Sequence, residues 1–303
     1  IPFTDVIIHS TILASDGRRM SKSLGTGVDP LELIEKHGAD ATRYGLLKMS
    51  STQDVRFTEG PLEEGRKLAN KLWNVSRLIL TNSTGAIPSE YAPEVEDRWI
   101  FGRIQVAQDD IERDFARFDF ASAVLALYRL VFDDFCDWYA ELIKSRLHAG
   151  DLDAASAALG ALERLLKLLH PVMPHVTEEI WSQLPARETR LIVSPWPERH
   201  PERRNDYNLL YQVQLAVHTY RRSGVIPPVL HGYEHELFER MARREKPVTN
   251  AAAEIARLRR EVERGERMLA NEKFVANAKP EVVEAEREKL ERYRRELDAI
   301  SQH

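Results

Sequence analysis

The segment 16–30, DGRRMSKSLGTGVDP, gathers chemistry-bearing residues at close spacing. Arg19, Ser21, Lys22 and Ser23 surround Met20, between Gly17, Gly25 and Gly27. Lysine supplies a mobile point charge, while serine hydroxyls and loop amides can donate hydrogen bonds to phosphate oxygens. Glycines let such a loop deform and bring its backbone close to a ligand. The combination suits a negative charge that moves during reaction, as when pyrophosphate leaves a nucleoside triphosphate. Met20 would anchor the loop on the surface beneath it. A solvated turn can also carry serines and a cation, so the setting decides between the two readings.

That setting is strand, loop, helix. DVIIHSTILA (5–14) is β-rich and bounded by polar residues, which predicts one or two short strands. After the loop, the sequence predicts a helix from Asp29 and Pro30, with Asp29 as its cap and Gly38 as its end. A second helix is predicted from Ala39. This is the pattern at the end of an α/β domain, and the chain enters it from Ile1 with no methionine. That beginning suggests a piece of something longer.

From Thr58 onward the character is helical. Leu68, Leu72, Val75 and Ile79 step by four, three and four, and Val124, Leu127, Val131, Phe135, Trp138 and Leu142 form a longer stripe. Helices are predicted over 62–80, 95–115, 121–147, 151–170 with Asp151 as cap, and 174–184. Their short connections predict an antiparallel bundle. A further helix is expected over 207–222, and 223–249 suggests no fold. In 250–303, Ile255, Leu258, Val262, Gly265 and Leu269 keep heptad spacing, as do Val283, Glu286, Leu290, Tyr293, Leu297 and Ile300. With Pro280 opening the second run, this predicts an antiparallel coiled-coil hairpin about 30 Å long.

Composition narrows the partners. The formal net charge is −5, so no global basic field announces a polyanion. The excess lies between 81 and 249, with 20 basic against 26 acidic residues, so local patches and shape would have to bind one. One cysteine, Cys136, excludes a disulfide framework and a cysteine-rich zinc module, and its apolar run predicts a buried, inert thiol. No run of about eighteen apolar residues exists, so a membrane span is not expected. His170, His175, Glu178 and Glu179 could be imagined as metal ligands, but two prolines interrupt the spacing, and no metal is expected. Trp73, Trp99, Trp138 and Trp181 sit on apolar helical stripes and read as core.

Arg-Met-Ser-Lys-Ser followed by Leu-Gly resembles the K-M-S-K-S signature of class I aminoacyl-tRNA synthetases. GRRMSKSLGTGVDP, GADATRYGLL, ANKLWNVSRLIL, FCDWYAELIK and HPVMPHVTEEIW resemble the branched-aliphatic subgroup, in that order. TQDVRFTEG, KLANKLWNVSR and the stretch 270–297 are most similar to its valyl members, whereas isoleucyl relatives usually end in a cysteine-rich zinc module. The resemblance covers most of the chain and is weakest over 186–249. It implies a mainly α chain: 1–50 as the C-terminal end of a Rossmann-type catalytic domain with the signature loop and connecting helices, and 51–205 as a helical anticodon-binding domain. It leaves 206–249 as a connector and makes 250–303 a coiled-coil tRNA-binding arm.

The resemblance further implies that Lys22 is the catalytic lysine and binds the ATP phosphates, with Arg19, Ser21 and Ser23 beside it. Arg19 stands where the family usually has lysine and presents a planar fork in place of a compact ammonium. ATP with Mg2+, valine and tRNA(Val) are the implied partners, with no structural zinc, a cytoplasmic location and a monomer when complete. Arg259, Arg260, Arg287, Arg292, Arg294 and Arg295 on the hairpin are candidates for phosphate contacts, although an equal number of acids there can absorb many of them in surface ion pairs. The family's H-I-G-H signature, amino-acid pocket and editing insertion are expected upstream of Ile1, so this chain is not expected to aminoacylate alone. Robust valine-dependent ATP–pyrophosphate exchange by the chain would overturn that expectation. Two other readings stay open: an isoleucyl- or leucyl-type ligase, and a non-catalytic paralogue that kept only tRNA binding. A third is a helical scaffold whose hairpin pairs with another chain.

Overall fold

A computed structural model describes residues 2–21, 25–50, 53–91, 94–186, 189–223, 230 and 232–242, together with Val262, Glu266, Leu269 and Leu290. The chain divides into two compact units, 1–211 and 212–303.

The first unit begins with β1 (Ile12–Leu13), the one pair of residues in 5–14 that forms a strand. Val6, Ile7 and Ile8 are exposed instead. Helix α1 (Pro30–His37) starts where expected, because the Asp29 carboxylate accepts the Leu31 N–H at 2.9 Å. Gly38, at φ 92°, stops it and hands the chain to α2 (Ala39–Lys48). A second strand, β2 (Val55–Arg56), pairs parallel with β1, Ile12 against Val55 and Leu13 against Arg56. Two residues are too few to show a period, so the sequence reading missed this strand. The Asp54 carboxylate accepts the Thr11 N–H at 3.0 Å and helps fix the register. Beneath the pair lies a small core of Leu33, Met49 and Leu62, with Val28, Val55 and Phe57 against it.

The bundle follows the predicted helices closely. Helix α3 is Gly60–Thr81 and α4 is Val95–Ala116. The predicted helix over 121–147 is continuous but not uniform. Its first part is α5 (Phe120–Tyr128), its middle, Arg129–Tyr139, is wound as a π-helix, and α6 (Ala140–His148) completes it. Every residue of its apolar stripe is buried despite the change of winding. Cys136 is buried there, and burial pushes its thiol up to about 12, as suits an inert side chain. Helix α7 (Leu152–Leu169) is capped by Asp151, which accepts the Ala154 N–H at 3.0 Å, and α8 (Pro174–Ser182) follows.

Inside the bundle, Glu96 and Asp97 on α4 are fully buried. Arg146 of α6 reaches Asp97 at 2.8 Å, Glu96 at 3.2 Å and the Asp151 carboxylate at 2.9 Å. The Tyr139 hydroxyl donates to Asp97 at 2.8 Å. Burial pushes Asp97 up to about 6, against the pull of Arg146 and Tyr139, so it remains a carboxylate at neutral pH. Residues 195–208 lie along α4 through polar bonds: Gln108 donates to the Pro197 carbonyl and Gln105 accepts the His200 N–H. This segment ends in a 3-10 turn, Pro201–Asn208.

In the second unit, α9 (Tyr211–Ser223) begins later than the predicted 207, because the 3-10 turn occupies the preceding residues. Helix α10 (Tyr233–Ala242) falls in a stretch where the sequence suggested no fold. Tyr220 and Phe238 meet edge-on, with ring centres 5.6 Å apart, and Val213, Val217 and Leu237 are buried. The predicted coiled-coil hairpin lies outside the described residues except for Val262, Glu266, Leu269 and Leu290, which are each helical. No helix among the described residues is long and apolar enough to cross a membrane.

Candidate phosphate-binding loop and nucleic-acid interface

The loop is built on a tight reversal after β1. Gly17 donates its N–H to the Ala14 carbonyl and Ala14 donates to the Arg18 carbonyl, both at 2.8 Å, and Leu13 bridges Arg19 antiparallel. Gly17 has φ 86°, and a Cβ there would also stand 3.1 Å from the Arg56 Nε, so two constraints select glycine. The Asp16 carboxylate accepts from the Arg18 N–H at 3.0 Å and from its Nε at 2.8 Å. That arginine holds Asp16 below the usual carboxylate range. Arg19 is exposed and Met20 half-buried.

The base of the loop is closed by a reciprocal pair. Ser21 donates its N–H to the Thr26 Oγ1 at 3.0 Å, and Thr26 donates its N–H to the Ser21 carbonyl at 3.2 Å. Lys22, Ser23 and Leu24 lie between these two residues and outside the described residues. The structure therefore places Arg19 and Ser21 on one rim of the loop. From the other rim the chain runs through Asp29 directly into α1 and α2.

A second feature lies on the bundle. Trp99, Trp138 and Trp181 are buried as expected, but Trp73 is 40% exposed, which corrects its reading as core. It follows Leu72 by one residue and so stands off the stripe of Leu68, Leu72 and Ile79. Trp73 borders a cleft of about 580 Å³ between α3 and α8, with Ser76, Arg77, Glu179, Ile180 and Gln183 among its walls. Ser76 is 1% exposed, and its hydroxyl has no hydrogen-bond partner among the described residues. An aromatic face, a guanidinium, a carboxylate and an amide around one cleft can stack a planar ring and bond its polar edge. The i, i+3, i+4 spacing of Trp73, Ser76 and Arg77 was the sequence signal for a shared face.

The histidine and carboxylate group over 170–179 is engaged in holding the corner between α7 and α8. His170 Nδ1 lies 2.8 Å from the Thr177 hydroxyl, and burial lowers its pKa. Glu178 accepts the N–H groups of Leu191 at 2.9 Å and Ile192 at 3.3 Å. Among the described residues no group of three His, Cys, Asp or Glu could hold a metal ion. Arg259, Arg260, Arg287, Arg292, Arg294 and Arg295 lie outside the described residues.

Comparison with known proteins gives three family matches along the chain. Residues 1–58 match tRNA synthetases class I (I, L, M and V), 97–232 match the anticodon-binding domain of tRNA ligase, and 242–303 match the valyl tRNA synthetase tRNA binding arm. The chain belongs to the class I aminoacyl-tRNA synthetases. Within that family it is similar to the C-terminal portion of valine–tRNA ligases. It is 38% identical over 244 residues to the valine–tRNA ligase of Carboxydothermus hydrogenoformans, covering 77% of this chain and 28% of that protein. It is 43% identical over 211 residues to that of Enterococcus faecalis, covering 66% of this chain and 24% of the relative. The chain thus spans about a quarter of the length of the curated relatives it matches. The fold is similar to the crystal structure of the ternary complex of Agrobacterium radiobacter K84 agnB2 LeuRS-tRNA-LeuAMS, at 24% identity and a TM-score of 0.56, over 67% of this chain and 25% of that one.

Proposed function

We propose that the chain is the part of a valine–tRNA ligase that supplies the ATP-phosphate loop and the tRNA-binding modules. The observation that carries this reading is the reciprocal bonding of Ser21 and Thr26 on either side of the signature motif, from which the chain runs through α1 and α2 into the helical bundle. ATP binds as its Mg2+ complex. Valine's carboxylate attacks the α-phosphorus, the bond to the β-phosphate oxygen breaks, and pyrophosphate leaves with the electron pair. Lys22 meets the growing negative charge on that leaving group, with Arg19, Ser21 and Ser23 adding phosphate contacts. The valyl group then passes from the adenylate to a terminal ribose hydroxyl of tRNA(Val), releasing AMP.

In this reading residues 51–205 take the anticodon side of the tRNA, the Trp73 cleft offers a stacking surface there, and arginines of 250–303 lie along its phosphates. The part acts in the cytoplasm, in a monomeric whole enzyme. The relatives matched are valine–tRNA ligases, which disfavours the isoleucyl and leucyl readings. The retained Met20-Ser21-Lys22-Ser23 favours a ligase over a pure tRNA binder.

The test is Lys22→Ala in an enzyme that joins this chain to the segment bearing the H-I-G-H signature. Valine-dependent ATP–pyrophosphate exchange should fall roughly 10- to 100-fold while tRNA affinity is retained. Undiminished exchange would remove the loop from the chemistry.

A further inference from the structure

Backbone pairing around β1 decides which side chains share a face with Arg19. Leu13 pairs with Arg56 of β2 on one side and bridges Arg19 on the other. Paired residues of neighbouring strands send their side chains to the same face, and successive residues of a strand alternate between faces. Val55 packs against the small core of Leu33, Met49 and Leu62, so Arg56, the next residue, points away from that core. Leu13 and Arg19 share its side. The outward face therefore carries a leucine flanked by two arginines, whose backbones are about 10 Å apart across two strand spacings.

These two guanidiniums differ from the one beside them. Arg18 is spent on the Asp16 carboxylate at 2.7 Å. Arg19 and Arg56 are exposed, and neither side chain has a hydrogen-bond or ion-pair partner among the described residues. The carboxylates nearest to them in sequence are engaged elsewhere: Asp16 by Arg18, Asp54 by the Thr11 N–H, and Glu59 by Lys36 and His37. Arg56 is also held in place. Its Nε, Nη2 and Cζ lie 3.1, 3.2 and 3.3 Å from where a Cβ on Gly17 would stand, so the guanidinium rests against the turn that opens the loop. A seated guanidinium with unspent donors, on the same face as the first residue of the signature, is arranged to meet a polyanion.

We propose that Arg56 is a second phosphate-binding guanidinium of the adenylation site, which with Arg19 grips the two terminal phosphoryl groups of ATP from opposite flanks of Leu13 and holds them as the departing pyrophosphate. The inference rests on the ATP-loop reading above and adds to it a residue from outside the signature. Two forks separated by a strand suit a diphosphate, which presents oxygens at both ends, better than a single phosphate. The test is valine-dependent ATP–pyrophosphate exchange by the enzyme that joins this chain to the segment bearing the H-I-G-H signature, measured over ranges of ATP, pyrophosphate and valine. Arg56→Gln removes no bond among the described residues and should melt as wild type does. Its KM values for ATP and for pyrophosphate should each rise about 5- to 10-fold, with the KM for valine within about 2-fold of wild type. Arg56→Lys, which keeps the charge without the fork, should recover part of the loss. Arg18→Gln, which removes a guanidinium already paired with Asp16, should leave all three KM values within about 2-fold.

Unchanged KM values for ATP and pyrophosphate in Arg56→Gln, where Lys22→Ala lowers exchange, overturn this inference and leave the loop reading standing. So does an equal rise in Arg18→Gln, because the effect would then be a general loss of positive charge. A fall in exchange that follows a lowered melting temperature, with both KM values unchanged, also overturns it and assigns Arg56 to the fold alone. Undiminished exchange in Lys22→Ala overturns both readings.

Discussion

Arg146→Met destabilises the first unit by about 3–5 kcal/mol at pH 7, the usual cost of removing one member of a buried ion pair. The reason is the company this guanidinium keeps. Glu96 and Asp97 are both fully buried, and Arg146 is the cation that reaches both of them. Methionine fills the volume of the stem but removes the cation that lies 2.8 Å from the buried Asp97 carboxylate. The loss should also depend on pH in a definite direction. Asp97 has its pKa raised to about 6 from the ordinary 3.8, so the folded state holds the extra proton between those values. The stability this group contributes therefore falls as pH rises through that window. Without Arg146 its pKa climbs further, the proton is held to higher pH, and the deficit relative to wild type is smaller at pH 5 than at pH 7. Urea unfolding at the two pH values measures both effects. A deficit under about 1 kcal/mol, independent of pH, would mean that solvent screens the network.

Gly160→Ala lowers stability by about 3 kcal/mol, while Gly60→Ala in the same background leaves it unchanged or raises it by about 0.5 kcal/mol. The pair separates two meanings of a helical glycine. At Gly160, inside α7, the Ser89 backbone lies against the helix, its N–H donating to the Ser156 carbonyl at 3.0 Å. An added Cβ would overlap the Ser89 carbonyl oxygen and stand 2.7 Å from its carbon, and backbone cannot rotate away as a side chain can. At Gly60, the first residue of α3, an added Cβ meets nothing within 4 Å, so alanine there only restricts the unfolded chain. Thermal or urea unfolding of the two variants decides the matter. Equal effects would show that the Ser89 segment is not seated on α7.

The contrast between these residues shows what the sequence could convey. Apolar spacing exposed the long stripe from Val124 to Leu142, and all six of its residues are buried even though the middle of the helix is wound as a π-helix. Spacing reports which face is covered, not how many residues make a turn. Caps were legible because they act locally: Asp29 and Asp151 bond amides two and three residues away. Nothing in the local sequence marks Glu96 and Asp97 as buried, since the cation that reaches them is about 50 residues further on. Strand β2 was hidden by its two-residue length, and the cap that Asp40 places on α8 by a partner in another helix. Trp73 was misread because it adjoins an apolar stripe without belonging to it. At the loop, the motif stood out by composition, but the closure between Ser21 and Thr26 needs the fold to bring a hydroxyl onto an amide five residues back.

The central claim is that this chain carries tRNA-binding surfaces beside a phosphate loop, and titration of the chain with tRNA(Val) over a range of salt concentration tests it most directly. The account expects binding whose log K falls linearly with log salt, with a slope of roughly −3 or steeper, and a preference for tRNA(Val) over a tRNA of unrelated specificity. No binding, or an affinity indifferent to both salt and tRNA identity, would contradict it.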